Sequence, residues 1–256
     1  MNRLNNLFQA KEERILSIYF TAGYPQLNDT TVVLENLESA GVDFVEIGMP
    51  FSDPVADGPV IQQSSLQALQ NGMTVKLLFE QLANIRAKVS MPFVLMGYIN
   101  PVLQYGMEAF CRKCQEVGID GVIIPDLPLQ EYEDNYKELF EQCGLINVLL
   151  ITPQTAPERI QQIDAVTDGF IYMVSSASTT GAKKSAQDFS VDYFERVQQM
   201  PLKNPRMIGF GISNRETFNN ACSYAQGAII GSAFVKHVGV NGVKKESVQQ
   251  FVQQLM

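Results

Sequence analysis

Residues 38–48, ESAGVDFVEIG, join the end of an amphipathic helical pattern to a short run of apolar residues through a single glycine. The same order of helix, glycine and apolar run recurs at residues 115–126, QEVGIDGVIIPD, and at residues 141–152, EQCGLINVLLIT. A glycine directly after a helix is a common C-terminal signal, and a short β-branched run after it predicts a strand. The chain therefore repeats a unit of one helix followed by one strand.

Eight such strands are predicted along the chain, with helical patterns between them. They are ILSIYFT (15–21), DFVEIG (43–48), PFVLMG (92–97), DGVIIPD (120–126), INVLLIT (146–152), DGFIYMV (168–174), RMIGFG (206–211) and GAIIGS (227–232). Strands that alternate with helices build parallel sheets, and eight units over 256 residues favour a (β/α)8 TIM barrel of the α/β class. A doubly wound open sheet is the alternative, but its G-x-G-x-x-G fingerprint does not follow the first strand. Because no linker-like tract divides the chain, we expect a single barrel domain over residues 1–256.

The composition argues against several classes of protein. Of the 256 residues, 46% are hydrophobic and 18% are charged, which is enough apolar material for a sizeable core. The formal charge of −8 and the scattered lysines and arginines argue against nucleic acid as a partner. The N-terminal stretch MNRLNNLFQAKEER lacks the apolar segment of a signal peptide, and no later run is long enough to span a membrane. We therefore expect a cytoplasmic protein that binds neither nucleic acid nor a membrane.

The spacing Cys111-x-x-Cys114 is found in many metal sites. Such a site needs a second pair of ligands, but Cys143 and Cys222 stand apart and His237 is the single histidine of the chain. The segment MEAFCRKCQEVG has helical periodicity, which puts the first two cysteines on neighbouring turns. We predict reduced packing cysteines and no metal site.

Glu46 lies in the middle of the second predicted strand, in the stretch VEIGMPFSDPVADGP at residues 45–59. Alternation along a strand puts Glu46 on the same face as Phe44 and opposite Val45 and Ile47. If that face is the barrel interior, ionising the carboxyl is costly and its pKa should be raised. A carboxyl with a raised pKa at the mouth of a barrel suits acid–base catalysis. The alternative is a glutamate that is hydrogen-bonded inside the barrel for packing.

Two aspartates follow in the loop after this strand, which three prolines stiffen. Active sites of (β/α)8 barrels lie at the carboxyl ends of the strands, so this loop borders the predicted mouth. Asp53 precedes Pro54 and is best explained as a turn residue. Asp57 precedes Gly58 and, on the local pattern alone, could also be a turn residue.

Two glycine motifs indicate a phosphate site at the other end of the chain. GFGISNRE follows the seventh strand and opens a helix, with Ser213 and Glu216 in capping-box spacing, and IIGSAFVK follows the eighth strand. Backbone N–H groups at glycine turns and helix N-termini bind phosphate, and barrels often build this site after strands seven and eight. The alternative is that these glycines only form tight turns.

Two absences narrow the chemistry. A Schiff-base enzyme needs a lysine at a strand end, yet no predicted strand contains one. A metal-dependent lyase usually needs several histidines or clustered acids, and the chain has one histidine. A reaction in which the substrate itself is the electron sink and two carboxylates act on it would need neither the lysine nor the metal.

The stretch VEIGMPFSDPVADGP closely resembles the signature of the tryptophan synthase alpha chain family. MGYINPV, IIPDLPLQE, YMVSSASTTG, GFGIS and IIGSAFVK match the same family in order, along nearly all 256 residues. The resemblance implies a barrel lyase that splits indole-3-glycerol phosphate into indole and glyceraldehyde 3-phosphate in the last steps of tryptophan biosynthesis. It also implies an α2β2 heterotetramer in which indole passes to a beta chain that holds pyridoxal phosphate (PLP), with no cofactor in this chain.

The resemblance assigns roles to residues that match the family motifs. Glu46 would protonate C3 of the indole and handle the proton of the glyceryl hydroxyl during retro-aldol cleavage. Once C3 is protonated the ring becomes the electron sink, so neither a lysine nor a metal is needed. Asp57 would accept a hydrogen bond from the indole N–H and stabilise the developing positive charge. Tyr172 would line the pocket, and Tyr19 and Tyr98 would contact the indole.

The same resemblance implies that the phosphate rests on backbone N–H groups and one serine, contributed by Gly181, Gly211, Gly231 and Ser232. Thr180 belongs to the loop after the sixth strand, which would close over the substrate. SSASTTG departs here from the SRAGVTG form common in the family, so that Ser176 stands where an arginine is usual. The departure keeps Thr180 and Gly181 and leaves its effect on loop closure open.

Two alternatives from other classes remain. Another phosphosugar barrel, such as a thiamine-phosphate or phosphoribosyl isomerase type enzyme, would share the phosphate end but should not show PFSDPVADGP. A non-catalytic subunit that only activates a beta chain would keep that loop but lose Glu46 or Asp57, and both are present.

Overall fold

A parallel sheet that closes on itself forms the centre of the computed structural model, which describes residues 2–175 and 191–256. Its strands within those ranges are β1 (Ile15–Thr21), β2 (Phe44–Gly48), β3 (Phe93–Met96), β4 (Gly121–Ile123), β5 (Ile146–Asn147), β6 (Leu149–Ile151), β7 (Ile171–Val174), β8 (Arg206–Gly209) and β9 (Gly227–Ile230). The order across the sheet is β5-β4-β3-β2-β1-β9-β8-β7-β6, and these neighbours pair in parallel. The predicted (β/α)8 barrel is confirmed.

The barrel closes at the fifth predicted strand, which the structure divides into two. β5 pairs with β4, and β6 pairs with β7. Val148, between β5 and β6, donates its N–H to the carbonyl of Val122 at 2.9 Å. The prediction of one unbroken strand over residues 146–152 is therefore wrong, because the run leaves the β4 ladder at Val148 and continues with β7.

Helices return the chain to the start of each next strand. In the described ranges they are α1 (Arg3–Ala10), α2 (Asp29–Ser39), α3 (Pro59–Gln70), α4 (Val75–Leu82), α5 (Ile99–Tyr105), α6 (Met107–Val117), α7 (Leu129–Glu131), α8 (Lys137–Gln142), α9 (Pro157–Val166), α10 (Val191–Gln198), α11 (Arg215–Cys222), α12 (Ser232–Asn241) and α13 (Lys245–Leu255). A 3₁₀ turn lies at Ile85–Ala87 and a π-helical turn at Tyr132–Tyr136. The three predicted helix–glycine–strand junctions are confirmed, because Gly41, Gly118 and Gly144 all adopt left-handed φ values, of 82°, 80° and 68°.

Alternation along the strands separates an inner core from an outer one. On β2, Phe44 belongs to the cluster inside the barrel, whereas Val45 and Ile47 belong to the cluster between the sheet and the helices. Inside, the ring of Phe44 contacts Phe8 of α1 and Phe170, with centroid distances of 6.3 and 5.5 Å. α1 thus covers the amino end of the barrel, which leaves the carboxyl end for a site.

A buried charge cluster around Asp120 anchors the start of the chain to the amino end of the barrel. The Asp120 carboxylate accepts bonds from Arg86 at 2.7 Å, from Arg3 at 3.2 Å and from the Phe93 N–H at 3.0 Å. The side chain of Asn2 donates to the Asp120 carbonyl at 2.6 Å. Because the Asp120 side chain is only 2% exposed, removing it would leave the partly buried Arg86 without its carboxylate.

Replacing Asp120 by alanine should lower the free energy of unfolding by about 3–5 kcal/mol, because breaking a buried ion pair leaves an uncompensated charge. Urea denaturation followed by circular dichroism measures this loss. Glu108→Ala is the control, since Glu108 and Arg112 form an exposed pair, and exposed pairs contribute about 0–1 kcal/mol. Equal losses in the two variants would contradict the anchoring role of Asp120.

The cysteines are free thiols, and the pair in C-x-x-C packs in the core. Cys111 and Cys114 lie on the buried face of α6, and burial raises the pKa of Cys111 to about 12. Within residues 2–175 and 191–256, no group of three or more His, Cys, Asp or Glu side chains could hold a metal ion. The spacing of Cys111 and Cys114 is therefore explained by the packing of α6 against the core.

In the same ranges, no helix is both long enough and apolar enough to cross a membrane.

Candidate active site

β2 carries Glu46 into the barrel interior, level with Tyr19 on β1 and Val94 on β3. The side chain is fully buried, and in the described part of the chain neither carboxyl oxygen has a hydrogen-bond partner. Burial raises the pKa of Glu46 from an ordinary 4.5 to about 8, because the interior disfavours the charged form. The alternative of a glutamate hydrogen-bonded for packing therefore has no support among these contacts, and the raised pKa favours the protonated carboxyl at neutral pH.

Glu46→Gln should stabilise the protein increasingly as the pH rises. The unfolded chain loses the Glu46 proton near pH 4.5 and the folded protein near pH 8, so the folded state binds more protons between these values. The amount by which Glu46 lowers the free energy of unfolding therefore increases from pH 4.5 to pH 8 and is constant at higher pH. Urea titrations at about pH 4.5 and about pH 8.5 should show the variant gaining roughly 3–5 kcal/mol relative to wild type between the two.

Glu133→Gln makes the same chemical change at an exposed position and serves as the control for this titration. The gain with pH should be confined to the Glu46 variant. A difference between wild type and Glu46→Gln that stays constant with pH would show that burial does not shift this carboxyl.

The loop after β2 folds Asp57 back toward the mouth of the barrel. The Asp57 N–H donates to the Pro54 carbonyl at 3.1 Å, and its Oδ2 accepts a bond from the Tyr98 hydroxyl at 2.9 Å. The Tyr98 hydroxyl also accepts a bond from the Ala56 N–H at 3.0 Å. Burial raises the pKa of Asp57, and the bond from Tyr98 opposes that shift. Tyr98 therefore fastens the loop and holds one carboxylate oxygen, while Asp53 is exposed at the loop surface.

Two tyrosines flank the carboxyls inside the barrel. Burial raises the pKa of both Tyr19 and Tyr172, and the two nearby carboxyls raise it further, so both hydroxyls are neutral. A Cβ at Gly48 would collide with the Tyr19 hydroxyl, and a Cβ at Gly209 would collide with the Tyr172 hydroxyl. These two glycines, which the sequence pattern did not single out, leave the space that the rings occupy.

Two cavities open on this cluster and share Tyr19 and Asp57. The first, of about 340 Å³, is mostly apolar, and its lining includes Met49, Phe51, Tyr98, Leu150 and Val174. The second, of about 530 Å³, contains the remaining predicted residues of the described ranges, which are Glu46, Tyr172, Gly211, Gly231 and Ser232. Asp57 therefore borders both the apolar cavity and the cavity lined by the glycine turns, whereas Glu46 lines only the second.

Residues with free backbone N–H groups line part of the second cavity. Phe210 and Gly211 adopt left-handed φ values of 68° and 77°, and Gly231 precedes α12 as its N-terminal cap. Within the described ranges, the N–H groups of Gly211 and Gly231 donate to no protein acceptor. Free N–H groups at a turn and at a helix start attract an anion such as phosphate.

The predicted capping box at Ser213 and Glu216 is wrong by one residue. Asn214 is the N-terminal cap of α11, and its side chain accepts a bond from the Thr217 N–H at 2.9 Å. The Thr217 hydroxyl accepts a bond from the Asn214 N–H at 3.1 Å, which completes the box. Ser213 lines the second cavity instead.

Comparison with known proteins decides the family. A family model described as tryptophan synthase alpha chain matches residues 5–256. This chain belongs to the tryptophan synthase alpha chain family. The tryptophan synthase alpha chain of Flavobacterium psychrophilum is 60% identical over 255 residues, which cover 100% of both chains. That of Bacteroides thetaiotaomicron is 57% identical over 235 residues, which cover 92% of each chain.

Solved structures of the tryptophan synthase alpha chain family share the barrel. Tryptophan synthase subunit alpha from Legionella pneumophila has a TM-score of 0.87 at 30% identity, over 100% of this chain and 97% of that one. Tryptophan synthase from M. tuberculosis in its aminoacrylate-bound form has a TM-score of 0.86 at 28% identity. The match covers 100% of this chain and 98% of that one. The family cleaves indole-3-glycerol phosphate to indole and glyceraldehyde 3-phosphate, so this chain is a carbon–carbon lyase of tryptophan biosynthesis. The family match excludes the alternative of another phosphosugar barrel.

The tryptophan synthase alpha chain site also contains residues that sequence reasoning missed. Phe210 lines both cavities, and Lys236 lines the second one. Lys236 lies four residues after Ser232 on α12, and residues four apart share a helix face. That spacing could have placed Lys236 beside the phosphate motif. It brings a positive charge to the second cavity.

Residues 176–190 fall outside the ranges that the structure describes. Thr180 and Gly181, predicted to contact the substrate, lie in residues 176–190. Ser176, which stands where an arginine is common in the tryptophan synthase alpha chain family, lies there as well. The roles predicted for these residues stay predictions.

Proposed function

We propose that Glu46 is both the acid and the base of the cleavage of indole-3-glycerol phosphate. The observation that supports this is a buried carboxyl that lines the second cavity and has no hydrogen-bond partner among the described residues, so that burial raises its pKa and favours the protonated form. A neutral carboxyl donates a proton, and C3 of the indole ring must gain one before its bond to the glyceryl chain breaks. Protonation of C3 moves positive charge to the ring nitrogen. Glu46 is then a carboxylate that can accept a proton.

The second step returns that proton to Glu46. The carboxylate takes the proton of the hydroxyl on the glyceryl carbon that is bonded to C3. The O–H electron pair forms the aldehyde C=O, the carbon–carbon bond breaks, and its electrons neutralise the ring nitrogen and restore the aromatic ring. Indole leaves with the first proton on C3, glyceraldehyde 3-phosphate leaves as the aldehyde, and Glu46 is protonated again.

Asp57 would stabilise the charge that appears on the ring nitrogen. Its Oδ2 is held by the Tyr98 hydroxyl, and its other oxygen, which accepts no bond from the described residues, would accept one from the indole N–H. A bond to an anion strengthens as positive charge develops on the donor, so it lowers the barrier as well as binding the ring. Tyr19 and Tyr172, neutral because they are buried, would line the ring without exchanging protons.

The phosphate would occupy the part of the second cavity that Gly211, Gly231 and Ser232 line. The unpartnered N–H groups of Gly211 and Gly231 and the start of α12 at Ser232 supply donors, and Lys236 supplies a charge. Binding energy at the phosphate, remote from the reacting bond, would hold C3 against Glu46.

The two carboxyls should differ in kinetics. Glu46→Gln keeps the shape of the side chain but cannot transfer a proton. Its kcat should therefore fall at least as much as is typical when acid–base catalysis is lost, ~10²-fold to 10⁴-fold, while its KM stays close to the wild-type value. Asp57→Asn keeps an acceptor oxygen but loses the negative charge, so its kcat should also fall, to a residual value above that of Glu46→Gln. The steady-state rate of indole release from indole-3-glycerol phosphate measures kcat and KM for both variants.

Asp53→Asn is the matched control, because Asp53 is an exposed aspartate of the same loop. It should cleave the substrate at close to the wild-type rate. If Glu46→Gln does so too, the proton transfers belong to Asp57 or Tyr172 and Glu46 is structural.

The partner would be a tryptophan synthase beta chain that holds PLP and receives the indole, in an α2β2 assembly. This chain would need no cofactor of its own and would work in the cytoplasm. The solved M. tuberculosis protein, a tryptophan synthase with aminoacrylate bound, supports such a pairing. Val55 is 78% exposed and lies in the loop that carries Asp57. A partner bound at Val55 would therefore contact the loop that holds Asp57 in the site.

Adding the cognate beta chain should therefore increase the rate of indole formation, because the contact would order the loop that holds Asp57. Val55→Asp should raise the beta-chain concentration needed for half-maximal activation by about tenfold or more, since it puts a charge into an apolar contact. Val240→Asp, at an 85% exposed position near the end of α12, is the control. Absence of activation, or equal effects of the two substitutions, would contradict this contact.

A further inference from the structure

We infer that Ser175 is a positioning residue whose hydroxyl fixes the direction of the Gly211 N–H and thereby sets how tightly the site holds a phosphate group. The inference rests on the proposed phosphate site and adds to it a residue that does not itself touch the substrate. Ser175 directly follows β7 and is buried, with 6% of its surface exposed. Its own N–H donates to the Gly209 carbonyl at 3.1 Å, so its backbone continues the pairing of β7 with β8.

The side chain of Ser175 is bonded to the turn that follows β8. Its hydroxyl donates to the Phe210 carbonyl at 2.6 Å. The backbone and the side chain of Ser175 thus hold two successive carbonyls, those of Gly209 and Phe210. A Cβ at Gly211 would lie 3.6 Å from the Ser175 Oγ, which places the hydroxyl directly beside the Phe210–Gly211 peptide.

The peptide plane transmits this contact to the phosphate end of the cavity. In a trans peptide, the C=O and the N–H that follows it point in opposite directions. Because Ser175 holds the Phe210 C=O, the Gly211 N–H points away from Ser175. That N–H has no protein acceptor in the described ranges, and both Phe210 and Gly211 line the second cavity. It is therefore available to an anion in that cavity.

The turn needs such a contact because its two residues do not fix the peptide by themselves. Phe210 adopts a φ of 68°, which is unfavourable for a residue with a side chain and persists only where neighbouring contacts enforce it. Gly211 adopts a φ of 77°, but a glycine takes positive and negative φ values about equally well. Rotation of the peptide between them would therefore meet little resistance at Gly211. The bond from Ser175 selects the orientation that presents the N–H.

Ser175→Ala should weaken binding of glycerol 3-phosphate, measured by titration calorimetry, by about fivefold, the effect of losing one hydrogen-bonded contact. In the condensation of indole with glyceraldehyde 3-phosphate, the KM for the phosphorylated aldehyde should rise by a similar factor, with kcat changed much less. Ser175→Thr keeps the hydroxyl and should restore both values. Ser223→Ala is the control, because it removes a hydroxyl that donates to the Asn219 carbonyl at 3.2 Å on the exposed end of α11.

A second measurement uses the wild-type protein, so that it does not depend on how well a variant folds. The Gly211 amide proton should shift downfield in NMR spectra as glycerol 3-phosphate is added. If the wild type does not bind this ligand, the proposed phosphate site fails and the inference fails with it. If the wild type binds but the Gly211 amide stays unmoved, or folded Ser175→Ala binds as tightly as wild type, the role of Ser175 alone is overturned. A lower melting temperature of Ser175→Ala with unchanged affinity would likewise make Ser175 merely structural.

Discussion

The cost of ionising Glu46 inside the barrel is the constraint on which the proposed chemistry depends. Its two oxygens have no hydrogen-bond partner within residues 2–175 and 191–256, so burial acts unopposed and moves the pKa to about 8. The raised pKa therefore favours a protonated carboxyl in the middle of β2 at neutral pH. A hydrogen bond from a neighbour to the charged form would release that proton and remove the acid. The unsatisfied carboxyl lowers stability, and contacts remote from the site, such as those of Asp120 and of the Phe8 and Phe44 rings, offset it.

The second carboxyl differs from the first in its environment, and the roles proposed for the two follow from this difference. Asp57 is held by Tyr98 in a loop at the mouth, where a hydrogen bond favours the charged form that burial opposes. In the proposed mechanism one carboxyl carries the proton and the other is a fixed acceptor, a division that different environments can produce. The rings of Tyr19 and Tyr172 fit beside Gly48 and Gly209 because neither glycine has a side chain.

Local patterns were sufficient for the barrel and for the placement of Glu46, but not for contacts between distant segments. Helix–glycine–strand junctions and alternation at Phe44 and Glu46 are properties of neighbouring residues, and they predicted the architecture. The break at Val148 was not visible, because INVLLIT is apolar almost throughout and a change of ladder leaves no mark in such a run.

Other features had ambiguous signals or none. Ser213–Glu216 and Asn214–Thr217 share the same spacing, so pattern alone could not choose the helix start. The role of Asp57 came from resemblance, since an aspartate before a glycine also suits a turn. The contact between Ser175 and Phe210 joins residues 35 positions apart and needs coordinates to be seen.

The protonation of Glu46 can be measured directly by ¹³C NMR on protein labelled at the glutamate side-chain carboxyl carbon. The spectrum of Glu46→Gln identifies the Glu46 signal by its absence. We expect that signal to titrate with a midpoint near pH 8 in the ligand-free protein. A midpoint near the ordinary value of 4.5 would contradict the proposed mechanism, because a carboxyl already ionised at neutral pH has no proton to give to C3 of the indole.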